Sequence, residues 1–169
     1  VPIRQVVAAS QYSLALTEEG YLYFWGNGNL VELDQSSIKK EYQGNIKRVA
    51  GGSNNVILIM DDGSINVLGM QGTIFFQYAE NLPPLVAVVM SETAAVGLTE
   101  DGRIVTWGGA QYDLLNIPEE VVQGEVKQIA AGRYHFTALM NDGTVVSWGR
   151  ELFGESNAPN ITDAVAVYS

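Results

Sequence analysis

Apolar residues in this chain recur in short runs that are bounded by Gly, Asn, Asp and Glu. The runs are rich in Val, Ile, Leu and aromatic residues, and their length and borders are typical of β-strands. They come in sets of three, and each set is followed by a longer, more polar connection. First strands are predicted at Ile3–Ala9, Ile46–Gly51, Leu85–Met90 and Val126–Ala131; second strands at Ser13–Thr17, Val56–Met60, Ala94–Thr99 and Phe136–Met140; third strands at Tyr21–Trp25, Ser64–Leu68, Arg103–Trp107 and Thr144–Trp148.

The sets align without a gap on the glycines of the turns between second and third strands, Gly20, Gly63, Gly102 and Gly143. Acidic or Asn residues precede each of these glycines, as in tight hairpins that need a positive φ. Five residues later stand Trp25, Leu68, Trp107 and Trp148, and each is followed by glycine. We expect the three tryptophans of this column to be core residues packed between the repeats.

A repeat of about 40 residues without helical periodicity predicts an all-β chain, a β-propeller or propeller segment of four blades. Each blade is a three- to four-stranded antiparallel sheet, with any fourth strand lying in the connections. A stacked solenoid is the alternative. We expect one propeller segment over residues 1–169, with repeats at approximately 3–45, 46–84, 85–125 and 126–160, and a fifth first strand that begins in 161–169.

The fourth unit carries the motif Ile129-Ala-Ala-Gly-Arg-Tyr-His135, then Ala138-Leu-Met-Asn-Asp-Gly143 and Trp148-Gly149. This pattern resembles the regulator-of-chromosome-condensation repeat, a β-propeller family. The short repeats are similar in style to bacterial and viral members such as the type II β-lactamase inhibitor protein. Leu68 replaces the motif's Trp, and Asn55 and Ala94 replace its His, so the second and third units depart from the pattern.

Propellers of the family usually have seven blades, more than the four units here. The chain is then a fragment of a longer propeller, an open segment that pairs with another chain, or a segment that closes on itself. Open sheet edges are prone to association. We therefore expect a protein partner or a second copy of the chain to complete the structure.

The 169 residues carry a net charge of −10, with 9 Lys and Arg and no Cys. Nucleic-acid binders present basic surfaces, and anionic membranes also repel acidic proteins, so we expect neither as a partner. Without cysteine there are no disulfides or thiolate metal sites. The sequence shows no signal peptide or transmembrane segment and does not begin with Met, so localisation stays unknown.

No catalytic constellation is recognisable, and we expect a protein that is not an enzyme and holds no cofactor or metal. His135 is the one histidine, and we interpret it as a packing or loop residue. The acidic pairs before the turn glycines lack the alternating spacing of a calcium loop and indicate turn geometry. Gly51-Gly52 is followed by neither Lys nor a helix, which argues against a phosphate loop.

Strand direction puts the first-to-second loops and the connections on one face, and the acidic hairpins on the opposite face. The first face is enriched in aromatic residues and Arg, the composition of an interface core. The expected function is non-catalytic protein binding or assembly through this face; the alternative is a carbohydrate- or ligand-binding, lectin-like propeller. Candidate binding residues are Tyr12, Asn54, Asn55, Tyr112, Arg133, Tyr134, His135, Arg150 and Phe153.

Overall fold

The computed structural model of the protein describes residues 1–27 and 33–168. It contains four three-stranded antiparallel sheets, each in the order first, second, third strand, which confirms the predicted all-β fold class. Sheet 1 consists of β1 (Ile3–Ala8), β2 (Tyr12–Thr17) and β3 (Leu22–Gly26); sheet 2 of β4 (Ile46–Gly51), β5 (Asn55–Met60) and β6 (Ile65–Gly69); sheet 3 of β7 (Ala87–Met90), β8 (Ala94–Leu98) and β9 (Ile104–Gly108); sheet 4 of β10 (Val126–Ala131), β11 (His135–Met140) and β12 (Val145–Gly149).

The connections between the sheets contain elements that the sequence did not predict. Within their described parts they contain two short helices, α1 (Ile74–Gln77) and α2 (Glu119–Gln123), and two 3₁₀ turns, Gln35–Ser37 and Gln111–Asp113, instead of a fourth strand. In the first connection and first repeat, residues 28–32 lie outside the described residues. The third strands also run one residue further than predicted, because the glycine after the Trp column still pairs with the second strand, as Gly26 pairs with Tyr12.

The hairpins between second and third strands have the geometry that their sequence predicts. Their four glycines have φ between 78° and 85°, a region that residues with a Cβ adopt at a cost. The aspartates before them cap the turns: the Asp142 carboxylate accepts the Thr144 N–H at 2.9 Å and its hydroxyl at 2.6 Å. The Asp62 carboxylate binds Ser64 in the same way. At Asp62 and Asp142, the acidic residue therefore caps its own turn.

The chain divides into two compact units, Val1–Leu85 with sheets 1 and 2, and Val86–Ser169 with sheets 3 and 4. In the first unit, one face of sheet 1, with Leu14 and Leu16, packs on Ile46, Val56 and Leu58 of sheet 2. In the second unit the core is built by residues of sheets 3 and 4 and of the connection between them. It includes Val96, Leu114, Val121, Phe136 and Trp148.

An equivalent pair of glutamine hydrogen bonds joins sheet 1 to sheet 2 and sheet 4 to the C-terminal tail. Gln5 of sheet 1 binds both backbone groups of Val49 in β4, at 2.7 and 3.0 Å. Gln128 of sheet 4 binds both backbone groups of Val167 in the C-terminal tail, residues 161–168, at 2.8 and 3.3 Å. The tail has no strand pairing, and Ser169 lies outside the described residues. A fifth first strand in 161–169 stays a prediction.

The tryptophan column is not uniform, which corrects one expectation. Trp107 and Trp148 are buried, with 3% and 6% of their surfaces exposed, whereas Trp25 is 51% exposed. Trp148 lies under Leu114, whose carbonyl accepts its Nε1–H at 3.1 Å. In sheet 1 the face that carries Trp25 is turned away from the core of its unit, so Trp25 is a surface residue.

Candidate functional site

Five of the predicted binding residues meet at one end of the second unit. They lie on the connection after sheet 3, the loop between β10 and β11, and the connection after sheet 4. We call them the arginine–aromatic cluster: Tyr112, Arg133, Tyr134, Arg150 and Phe153.

Tyr134 and Arg150 form the centre of this cluster. The Arg150 guanidinium lies 4.6 Å from the centre of the Tyr134 ring, 5.7 Å from that of Phe153 and 6.0 Å from that of Tyr112. The Tyr112 and Tyr134 rings are 5.2 Å apart and tilted by 57°. Cations over aromatic faces stabilise such an arrangement, so these side chains support one another.

The backbone at Tyr112 adopts an unusual conformation that its surroundings enforce. Tyr112 and Asp113 both have φ of 55°, which is uncommon for residues other than glycine and concentrates at functional sites. The next residue, Leu114, is fully buried and accepts the Trp148 indole hydrogen bond. This anchor fixes the connection, and the strained residue before it presents Tyr112, 46% exposed, beside Tyr134.

Glu155 fixes the orientation of Arg150. Its Oε1 lies 2.6 Å from Nη2 and 2.7 Å from Nε of Arg150, and its Oε2 accepts the Phe153 N–H at 2.7 Å. The backbone N–H of Arg150 also donates to the Tyr134 carbonyl at 2.9 Å. The pKa of Glu155 is lowered to about 2, first by hydrogen bonds from its own backbone N–H and from the Phe153 N–H, and then by Arg150. The carboxylate therefore stays charged at neutral pH.

Arg133 and Phe153 are the parts of the cluster most open to solvent. The Arg133 side chain is 70% exposed and its Nε lies 3.7 Å from Glu92 Oε2, while its guanidinium also lies 5.1 Å from the Tyr134 ring. Phe153 is 85% exposed and its neighbour Leu152 is 72% exposed. A cation and large apolar side chains available on rigid supports are what a protein interface uses as anchors.

Two candidate residues are interior, which corrects their assignment to the binding surface. Tyr12 is 4% exposed, stacks on Phe24 at 5.2 Å and donates its hydroxyl to the Gly52 carbonyl at 2.7 Å. Burial raises the pKa of this hydroxyl to about 12. Asn55 is fully buried, and its Nδ2 donates to the carbonyls of Leu68 and Met70. Both side chains hold the first unit together.

Asn54 and His135 remain outside the cluster. Asn54 is half-buried in the first unit, where its carbonyl accepts the Met70 N–H at 3.1 Å. The His135 ring lies against Gly132, where a Cβ would come within 2.1 Å of it. This contact fits the packing role expected for His135.

Sequence reasoning missed several residues that shape this surface. Glu92 and Glu155 orient the two arginines, and Leu152 is exposed beside Phe153. The apolar face of sheet 1 with Tyr23 and Trp25 was also missed. A usable signal for this face existed, since Tyr23 and Trp25 alternate on one side of a strand.

Within residues 1–27 and 33–168, no three His, Asp or Glu side chains are grouped as metal ligands would be. In the same part of the chain, no helix has the length and apolar character to cross a membrane.

Comparison with known proteins identifies the repeat. The family model of the regulator of chromosome condensation (RCC1) repeat matches residues 126–155. The human E3 ubiquitin-protein ligase HERC2 is 29% identical over 179 aligned residues, which cover 85% of this chain and 4% of the ligase. The chain thus corresponds to a small part of this relative.

Solved structures show the same fold. The CRINKLY WD40 ectodomain of the Arabidopsis thaliana receptor kinase ACR4 matches with a TM-score of 0.73 and 24% identity, covering 96% of this chain and 55% of that chain. Prp20p from Saccharomyces cerevisiae, described with its binding to Gsp1p and histones, matches with a TM-score of 0.69 and 20% identity, covering 91% and 48%. The chain spans about half of each. Its sheets are blades of the β-propeller type.

Proposed function

We propose that this chain, whose residues 126–155 match the model of the regulator-of-chromosome-condensation repeat, is a non-catalytic protein-binding module. The binding surface is the arginine–aromatic cluster on the loop face of the second unit. One observation carries the proposal: Arg150 is fixed against three aromatic rings, while Arg133 and Phe153 remain open to solvent. Such a preformed surface loses little side-chain entropy when a partner binds.

The composition of the cluster supports a protein as the ligand. Tyr and Arg are enriched in the hot spots of protein interfaces. The two arginines are each matched by a carboxylate, Glu92 or Glu155, so the surface is locally close to neutral although the chain carries −10. A protein partner therefore meets little electrostatic repulsion at this site. Prp20p, which has the same fold, is described with two kinds of protein partner.

The test is a quantitative capture experiment with the immobilised chain and extracts of its source organism. Tyr134→Ala removes the ring that both arginines contact, and Tyr134→Phe is the matched control that keeps it. Glu100→Lys changes an exposed residue at the hairpin end of sheet 3. We expect proteins captured by the wild type to be retained by both controls and reduced at least about fivefold by Tyr134→Ala, which corresponds to about 1 kcal/mol.

Two results contradict the proposal. Capture that Tyr134→Ala leaves unchanged, or that Glu100→Lys alone removes, places the interface elsewhere. Binding to a glycan array that depends on Tyr134, without any captured protein, supports the alternative of a carbohydrate- or ligand-binding propeller.

A further inference from the structure

In both units, the Trp-column residue of the second sheet, Leu68 or Trp148, packs against a core to which the preceding repeat contributes. In the second unit, Leu114 from the connection after sheet 3 lies on Trp148 of sheet 4, and its carbonyl accepts the indole N–H. In the first unit, Leu68, the residue of the same column in sheet 2, packs against the core cluster that contains Leu33 and Ile38 from the connection after sheet 1.

Sheet 1 presents the same kind of surface to solvent. The strand register puts Val6 beside Ala15 and Ala15 beside Tyr23, and it puts Ala8 beside Ser13 and Ser13 beside Trp25. Val6 is 66%, Tyr23 49% and Trp25 51% exposed. We call Val6, Tyr23 and Trp25 the open face of sheet 1. Three large apolar side chains on one sheet face are an association site when exposed together.

The connection after sheet 4 presents the complementary half. Leu33, Phe75 and Leu114, from the three earlier connections, are all at least 93% buried. In the fourth connection, by contrast, Leu152 is 72% exposed. Sheet 1 thus has an exposed Trp25, and the connection after sheet 4 has an exposed Leu152.

The tail occupies the place of a following first strand. Gln128 binds Val167 as Gln5 binds Val49 of β4. The Ala164 N–H donates to the Gly143 carbonyl at 3.2 Å, as the Val126 N–H donates to Gly102 at 2.9 Å. Without strand pairing of its own, the tail is held by few backbone bonds, so a real first strand can replace it.

We propose that a second copy of this chain docks head to tail, with the open face of its sheet 1 on sheet 4 of the first copy. Leu152 of one copy covers Trp25 of the other as Leu114 covers Trp148, and Phe153 stays in the arginine–aromatic cluster. The β1 strand of the second copy takes the place of the tail, and Gln128 then binds Val6. Such a contact joins two different surfaces and is heterologous, so each chain offers one of each.

The experiment measures the mass in solution of the wild-type chain and two variants by sedimentation equilibrium, from micromolar to millimolar concentration. Trp25→Ala removes the indole from the open face of sheet 1. Leu152→Asp changes the surface of sheet 4 on which that face docks, and Leu152 is not part of the arginine–aromatic cluster. Tyr78→Ala is the control, since Tyr78 is an aromatic residue with similar exposure, 57%, elsewhere in the first unit. We expect the wild type and Tyr78→Ala to associate as concentration rises, and each of the other variants to remain a monomer.

Mixing the two monomeric variants gives the sharpest result. The Leu152→Asp chain keeps the open face of sheet 1 intact, and the Trp25→Ala chain keeps the Leu152 surface intact. An equimolar mixture should therefore form a one-to-one complex of twice the monomer mass. In this complex the Trp25 of the Leu152→Asp chain should become protected from acrylamide quenching. A mixture that stays monomeric overturns head-to-tail docking.

A wild-type chain that stays monomeric with Trp25 open to quencher also overturns it, and would indicate that a different partner covers the open face. Capture through Tyr134 tests the proposed function separately, because neither Trp25 nor Leu152 belongs to the arginine–aromatic cluster. Failure of one proposal therefore leaves the other measurable.

Discussion

Sheet 1 and sheet 4 contain the same Trp-Gly pair at the end of the third strand, yet the two tryptophans have opposite environments. Trp148 is 6% exposed and hydrogen-bonded to Leu114, whereas Trp25 is 51% exposed. The repeats are alike in backbone, so the difference comes from what lies on each sheet. In this chain the burial of a repeat residue depends on the neighbouring repeat, and the same residue is core in one sheet and exposed in another.

The largest expected effect separates these two tryptophans. Trp148→Ala leaves a cavity beside Phe136 and Leu114 and should cost about 3–5 kcal/mol in free energy of unfolding. Trp25→Ala should cost about 1 kcal/mol or less, as substitutions at exposed positions do. Urea unfolding of both variants at a concentration where the chain is monomeric measures the difference. Equal costs would show that Trp25 is also a core residue.

The next comparison is between two glycines with positive φ. A Cβ at Gly143, with φ of 85°, would lie 2.3 Å from the Thr162 carbonyl oxygen of the tail, whereas a Cβ at Gly72, with φ of 75°, meets nothing within 4 Å. Both Gly→Ala variants bear a left-handed backbone cost of about 1–2 kcal/mol. Gly143→Ala should cost a further ~1–3 kcal/mol because it also overpacks against the tail.

Unfolding free energies of the two glycine variants measure this excess. If Gly143→Ala and Gly72→Ala are equally destabilising, the tail does not lie against the hairpin of sheet 4.

A smaller effect compares the two glutamines that join successive segments. Gln5→Ala should lower the free energy of unfolding by about 1–2 kcal/mol, because it removes two hydrogen bonds to the backbone of β4. Gln128→Ala removes the equivalent pair to Val167, but the tail has no strand partner. We expect its main result to be faster hydrogen exchange at the Val167 amide. Unchanged exchange there would mean that Gln128 does not hold the tail.

The smallest effect is the pH response of Glu155 in the connection after sheet 4. Its pKa is lowered from 4.5 to about 2, so its contribution to stability is complete above pH 4.5 and is lost as pH falls through about 2. A carbon-13 NMR titration of the Glu155 carboxyl should show a midpoint near 2. A midpoint near 4.5 would show that Arg150 and the Phe153 N–H do not hold this carboxylate.

Much of the fold was predictable because the repeat imposes it. Glycines at fixed spacing mark four hairpins, and alternation of apolar residues marks the strands, so the predicted strands match the structure to within one or two residues at their ends. Helices α1 and α2 were not predicted, because the connections share no pattern from one repeat to the next. Their conformation depends on which apolar residue, Phe75 or Val121, becomes buried.

The site was predictable only in part. Tyr134 shares its column with Asn54 and Thr93, a loop position, and it does join the cluster. Tyr12 shares its column with Asn55 and Ala94, both fully buried. The small Ala94 was a signal that this column faces the interior. Nothing in the sequence indicated that Tyr112 adopts a positive φ or that Glu155 binds Arg150.

Hydrogen–deuterium exchange of the chain with and without a captured partner shows whether the arginine–aromatic cluster is the partner-binding surface. We expect the partner to protect the loops that carry Tyr112, Arg133–Tyr134 and Arg150–Glu155, and to leave the Asn141–Gly143 hairpin at the opposite end of sheet 4 unchanged. Protection confined to the hairpins, with the cluster exchanging as in the free chain, would contradict it.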